Sequence, residues 1–206
     1  MARHTGAGVQ RARVVVLVCL VAAALGCGER SNVARGTQRM ADTLASLHRQ
    51  ALAQPQRNAF MNRARADNIA LELAKEPTFD PQGRYMLAQE RLAAGQTREA
   101  IAEFDGLVRA MRLSTDKIDP QAKIIFDFLA MSWLRLGEDE NCLNNPTADA
   151  CILPFTREAR HKDQEGARRA IAIHRSLLRD FPDDLGSRWL LNIGYVAIGG
   201  YPDSVP

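Results

Sequence analysis

The feature that most restricts what this chain can fold into is a recurrence of helix punctuation from residue 80 onward. Asp80-Pro81 sets a capping side chain ahead of a first-turn proline, and Leu87, Ala88 and Leu92 then run at helical spacing to Gly95. Asp119-Pro120 repeats the start, Phe126, Leu129, Ala130, Trp133 and Leu134 repeat the stripe, and Gly137 repeats the stop. Between these, Thr97 can cap a helix carrying Ala100, Ile101, Phe104, Leu107 and Val108. A further stripe (Ala170, Ile171, His174, Leu177, Leu178) ends at Phe181-Pro182, and a last one (Trp189, Leu191, Asn192, Tyr195) ends at Gly199. Upstream, Met40, Leu44, Leu47 and Ala51 before Pro55, then Ala66, Ile69, Ala70 and Leu73 before Pro77, predict an N-terminal helical hairpin over 37–78. No stretch alternates with period two between hairpin turns, so the expected class is all-α.

The first 26 residues read as a targeting segment. Arg3, Arg11 and Arg13 precede the apolar run VVVLVCLVAAAL, whose 12 residues are too few to span a bilayer. The end of the run, Ala24-Leu25-Gly26-Cys27, resembles a bacterial lipobox with the usual order of its first two residues exchanged. That resemblance implies lipidation of Cys27, a tether over 27–36, and an exported protein anchored in the cell envelope on its periplasmic or outer-membrane face. The plainer alternative is an ordinary cleaved signal peptide. Removing the three arginines from the 27 Lys and Arg residues leaves 24, against 24 Asp and Glu. A formally neutral remainder with interleaved charges argues against a nucleic-acid binder, which needs a clustered basic face.

The alternation of small and large residues in these stripes resembles the tetratricopeptide repeat, a helix pair of about 34 residues. Leu87-Ala88 and Gly95 with Ala100, Phe104 and Leu107 match one unit. Leu129-Ala130, Trp133 and Gly137 with Ala170, His174, Leu177 and Pro182 match a second, and Leu191-Asn192, Tyr195 and Gly199 begin a third in register. Arg91 and His174 stand where the repeat usually carries an aromatic ring. The implied fold of 79–206 is a solenoid of antiparallel helix hairpins. The runs SWLRLGEDENCLNNPTADACILPF and DDLGSRWLLNIGYVAIGGYPDSVP, with His161, Gly166 and RAI between them, also resemble the N-terminal region of bacterial FG-GAP/VCBS–ASPIC/UnbV-type proteins. Those proteins continue into a β-propeller. On that resemblance, an alternative reading is a truncated N-terminal piece whose helices pack on a propeller absent from this sequence.

The second unit carries an insertion, about 138–165, some 28 residues beyond what the repeat needs. Cys142 and Cys151 both lie in it, with eight residues between them. With Cys19 lost and Cys27 lipidated, an even pair in an oxidising compartment points to a disulfide. The chemical alternative is a metal site built from Cys142, Cys151 and His161. Their spacing fits no zinc ribbon or finger, so no metal or other cofactor is expected. Glu138, Asp139 and Glu140 read as a solvated turn rather than a paired-carboxylate site. No phosphate-binding glycine loop, G-x-S-x-G, H-E-x-x-H or C-x-x-C occurs, and the chain is not expected to be an enzyme.

In the repeat register, the inward face of the first helices carries Tyr85, Gln89 and Leu92, then Asp127, Met131 and Leu134, then Trp189 and Ile193. Gln82, Ile124 and Val196 extend the same lining. It is mainly apolar and lacks the Lys/Asn set with which repeats of this type grip a terminal carboxylate. It suits an amphipathic helix or apolar peptide with a basic residue set against Asp127. The functional expectation is a protein-binding scaffold with a protein or peptide partner and a membrane anchor; metal binding through the insertion is the remaining alternative.

Overall fold

The computed structural model describes residues 34–75, 78–143 and 156–206, and the chain divides into two units, Met1–Gln54 and Pro55–Pro206. The described part of the first unit is one helix, α1 (34–53), on which Met40, Leu44 and Leu47 are 62%, 58% and 55% exposed. The second unit opens with a 3-10 turn, Pro55–Arg57. It continues through α2 (Asn62–Leu73), α3 (Pro81–Ala93), α4 (Thr97–Ala110), α5 (Lys123–Glu138), a π-helical turn (Asp139–Leu143), α6 (Glu165–Asp180) and α7 (Leu185–Ile198). Every regular element among the described residues is helical, which bears out the all-α class. None of these helices is long and apolar enough to cross a membrane.

Local chemistry explains the ends of α3 and α7. Asp80 holds an extended backbone and accepts from the amide of Gly83 at 3.0 Å, while Pro81 fills the first turn. Asp184 does the same for α7, accepting from Gly186 and Ser187. Gly95 and Gly199 close α3 and α7 with φ of +75° and +76°, a left-handed conformation that glycine adopts without steric cost. Three starts and stops differ from the sequence reading. Asp119-Pro120 opens a turn in which Asp119 accepts from Gln121, and α5 begins only at Lys123. Thr97 is not a cap; its hydroxyl bonds to Asp139 instead. Gly137 does not stop α5, which runs on into the π-helical turn.

Gly137 is needed for another reason. Each of α2 to α6 packs on the helix that follows it, with lesser contacts between α3 and α5 and between α5 and α7. Where α5 crosses α6 the backbones nearly touch: a methyl group on Gly166 would lie 2.5 Å from the Trp133 carbonyl oxygen and 2.7 Å from the Gly137 nitrogen. Ala130, Ala167 and Ala170 are fully buried along the same crossing. The core between α3, α4 and α5 is built instead on large groups. Phe104 and Leu107 are fully buried, and the rings of Tyr85, Phe104 and Phe128 contact one another at 5.9–6.2 Å. Such aromatic contacts add about 1 kcal/mol each beyond the area they bury.

Gly166→Ala should therefore destabilise the protein by about 1–3 kcal/mol, because backbone rather than a flexible side chain must give way. Gly106→Ala, in the α4 interior with nothing within 4 Å of the added methyl, should stabilise by about 0.5–1 kcal/mol. Urea unfolding followed by circular dichroism measures both; equal effects would contradict the tight α5–α6 crossing.

Candidate functional site: a half-apolar face and its polar anchors

The side chains predicted to line a binding face divide by burial. Trp189 on α7 is 63% exposed, and Met131 and Ile124 on α5 are 40% and 46% exposed. Tyr85, Gln89 and Leu92 on α3 are half-buried, as are Asp127 and Ile193. Leu134 is only 7% exposed and serves the core. The amide of Gln89 donates to the Tyr85 hydroxyl at 3.0 Å, so the two polar groups of α3 satisfy each other.

Asp127 is not a free acceptor. The Lys123 ammonium, one turn earlier, donates to both its oxygens at 2.8 and 3.0 Å and to the Asp184 carboxylate at 2.6 Å. The ammonium also lies 5.7 Å from the centre of the Phe181 ring. The basic residue expected from a ligand is thus already supplied by the chain. Lys123 ties the start of α5 to the start of α7. Burial alone would lower its pKa, but the two carboxylates raise it; burial raises that of Asp127 against the pull of Lys123. Burial also opposes ionisation of Asp184, yet hydrogen bonds from Lys123 and Ser187 hold it at about 2.

His174 sits behind this group. It is 1% exposed, and neither ring nitrogen has a hydrogen-bond partner. Burial drives its pKa down to about 4, with Asp184 raising it and Lys123 lowering it further. A neutral imidazole occupies this core position at the cost of two unsatisfied polar atoms.

The second anchor joins the end of α5 to the stretch just before α6. Asn141, 6% exposed, donates to the carbonyls of Gly137 and Asp163 at 2.8 and 2.7 Å and accepts from the amides of Lys162 and Asp163 at 2.7 and 3.0 Å. One side chain thereby joins residue 137 to residues 162 and 163. His161 is buried beside it, and its backbone amide donates to Ala197 at 2.9 Å. Burial lowers the His161 pKa. The acidic trio is not a solvated turn: Asp139 accepts from Thr97 at 2.8 Å, Glu140 pairs with Arg98, and Glu138 pairs with Arg135 at 3.1 Å. Sequence reading missed Asn141, Lys123 and Asp184, because nothing in their spacing marks a partner 22 or 61 positions away.

Cys142 is half-buried next to Asn141, whereas Cys27 and Cys151 lie outside the described residues. The lipidation site, the Cys142–Cys151 pair and the Cys142/Cys151/His161 alternative therefore all involve positions outside them. Among the described residues no three His, Cys, Asp or Glu side chains are placed to hold a metal ion. No family model, curated protein or solved structure matches the chain.

The buried imidazole makes stability depend on pH with a definite sign. The folded pKa of about 4 lies below the ordinary 6.5, so the native state disfavours the proton. Its contribution is complete above pH 6.5 and is lost as pH falls toward 4, amounting to about 2 kcal/mol between pH 7 and 5. Asp184 adds acid sensitivity only below about pH 4. His174→Phe should remove most of the pH 5–7 slope in urea unfolding, leaving the part due to His161. An unchanged slope would show that His174 is not buried and neutral.

Proposed function

We propose that the chain is a non-enzymatic, tetratricopeptide-type scaffold that binds a protein or peptide, exported and held in the cell envelope by lipid on Cys27. The observation that carries the reading is the run of large apolar side chains left exposed on alternate helices: Met86 on α3, Ile124 and Met131 on α5, Leu185 and Trp189 on α7. Alternate helices of a hairpin stack share one side, and isolated exposed apolar groups need no partner, but a series on one side does. The polar groups among them (Tyr85 with Gln89, Asp127 with Lys123) are internally satisfied, so an apolar ligand surface can cover them without stranding a charge. No cofactor is needed for such a role.

A photo-crosslinking benzoylphenylalanine at position 131 or 189, in protein expressed in its own host, should give one discrete adduct. The same group at 102, on α4, should give none. Adducts of equal pattern at all three positions would sink the proposed face. Intact mass of the membrane fraction tests the anchor and the disulfide: loss of residues 1–26, added acyl chains, and about two protons gained on reduction are expected. An unacylated mass with free thiols would remove both.

A further inference from the structure

The polar clusters above are paired within the fold, but one concavity of the second unit is not. A cavity of about 530 Å3 lies between α6, α7 and the segment after Gly199, lined among others by Arg175, Leu178, Arg179, Arg188, Leu191 and Asn192. None of the side chains lining it is acidic. Arg179 pairs with Asp180 at 2.8 Å and donates to the Thr115 carbonyl at 2.7 Å, and Arg188 donates once, to the Pro182 carbonyl at 2.6 Å. Arg175 is exposed and has no hydrogen-bond or ion-pair partner among the described residues. Each guanidinium has five N–H donors, so most of the donors around this cavity remain available.

We propose that this groove binds an acidic peptide segment in which carboxylates flank aliphatic side chains. Arginine forks match carboxylates in bidentate geometry, and their weak hydration lowers the cost of drying them. Leu178 and Leu191 give the groove an apolar floor for the aliphatic groups. Arg175 and Arg179 stand one helical turn apart, about 6 Å along α6, and Arg188 faces them from α7. Cations spread in this way suit carboxylates strung along a chain better than one small anion. The amide of Asn192 can pair with the peptide backbone. Arg188 and Asn192 lie about a quarter-turn around α7 from Trp189 and Ile193, so the groove is separate from the apolar face and does not depend on it.

The test uses the full chain in nonionic detergent at 150 mM salt and a fluorescein-labelled octapeptide of sequence LEELLEEL, followed by anisotropy against a micelle-only control. Saturable binding is expected, with the LQQLLQQL peptide at least about ten-fold weaker. Arg175→Glu/Arg188→Glu should weaken the acidic peptide at least about ten-fold with the helical circular dichroism signal unchanged, since both residues are exposed. Arg175→Lys/Arg188→Lys, which keeps the charge and loses the fork, should fall between the two. Equal affinity for the glutamine peptide, undiminished binding by the double Glu variant, or no saturation up to millimolar peptide would each overturn the proposal.

Discussion

The crossing of α5 and α6 is the contact on which the rest of the second unit depends. Gly166 rests against the Trp133 carbonyl and the Gly137 backbone with no room for a methyl group. So close a crossing cannot slide, because interiors are packed to crystal density. It determines which residues of α6 meet α5: Ala167, Ala170, His174 and Leu177, all at 1% exposure or less. It also determines what lies at the two ends. One end brings Gly137 beside His161 and within reach of Asn141. At the other, Asp180 accepts from the Ile118 amide at 2.7 Å and Asp184 reaches Lys123. Both polar anchors are consequences of one apolar contact.

The polar anchors contribute more to geometry than to stability. The side chains of Lys123 and its two carboxylates are 20–26% exposed, so solvation lost and Coulomb energy gained largely offset each other. What the trio supplies is direction. Asp184 must keep its oxygens where Gly186 and Ser187 donate to cap α7, and in that position one of them also meets Lys123. The start of α7 is therefore placed relative to α5, and with it the side of α7 on which Trp189 projects. His174 completes the contact from below. Its neutral ring packs as a hydrophobe, and protonation would put an unpaired cation beside Lys123.

Much of this fold was legible because helix periodicity and end signals are local. The stripes from Leu87 to Tyr195, the Asp80 start and the Gly95 and Gly199 stops need only a few neighbouring residues to be read. The misread positions share a cause. Gly137 and Thr97 look like local punctuation, yet their roles are set by residues far along the chain, Gly166 and Asp139. Asn141 and Lys123 carry no local signal for the same reason. A buried asparagine with four partners and an exposed-looking lysine with two are recognised by what surrounds them, and that surrounding is made by the α5–α6 crossing.

The segment between α5 and α6 shows how the two levels combine. Its chemistry in sequence is the cysteine pair, but its base is closed by Asn141, whose four hydrogen bonds draw residues 137 and 141 against 162 and 163. Closing a loop costs entropy that grows only slowly with its length, so a base stapled by one side chain can carry a long excursion. A Cys142–Cys151 bond inside that closed base would constrain only the short segment between the thiols, worth on the order of 2–3 kcal/mol to the loop alone. Asn141 is the more consequential of the two neighbours. Removing it takes away all four hydrogen bonds that join the end of α5 to residues 162 and 163, whereas the loss of a Cys142–Cys151 bond would leave that base in place.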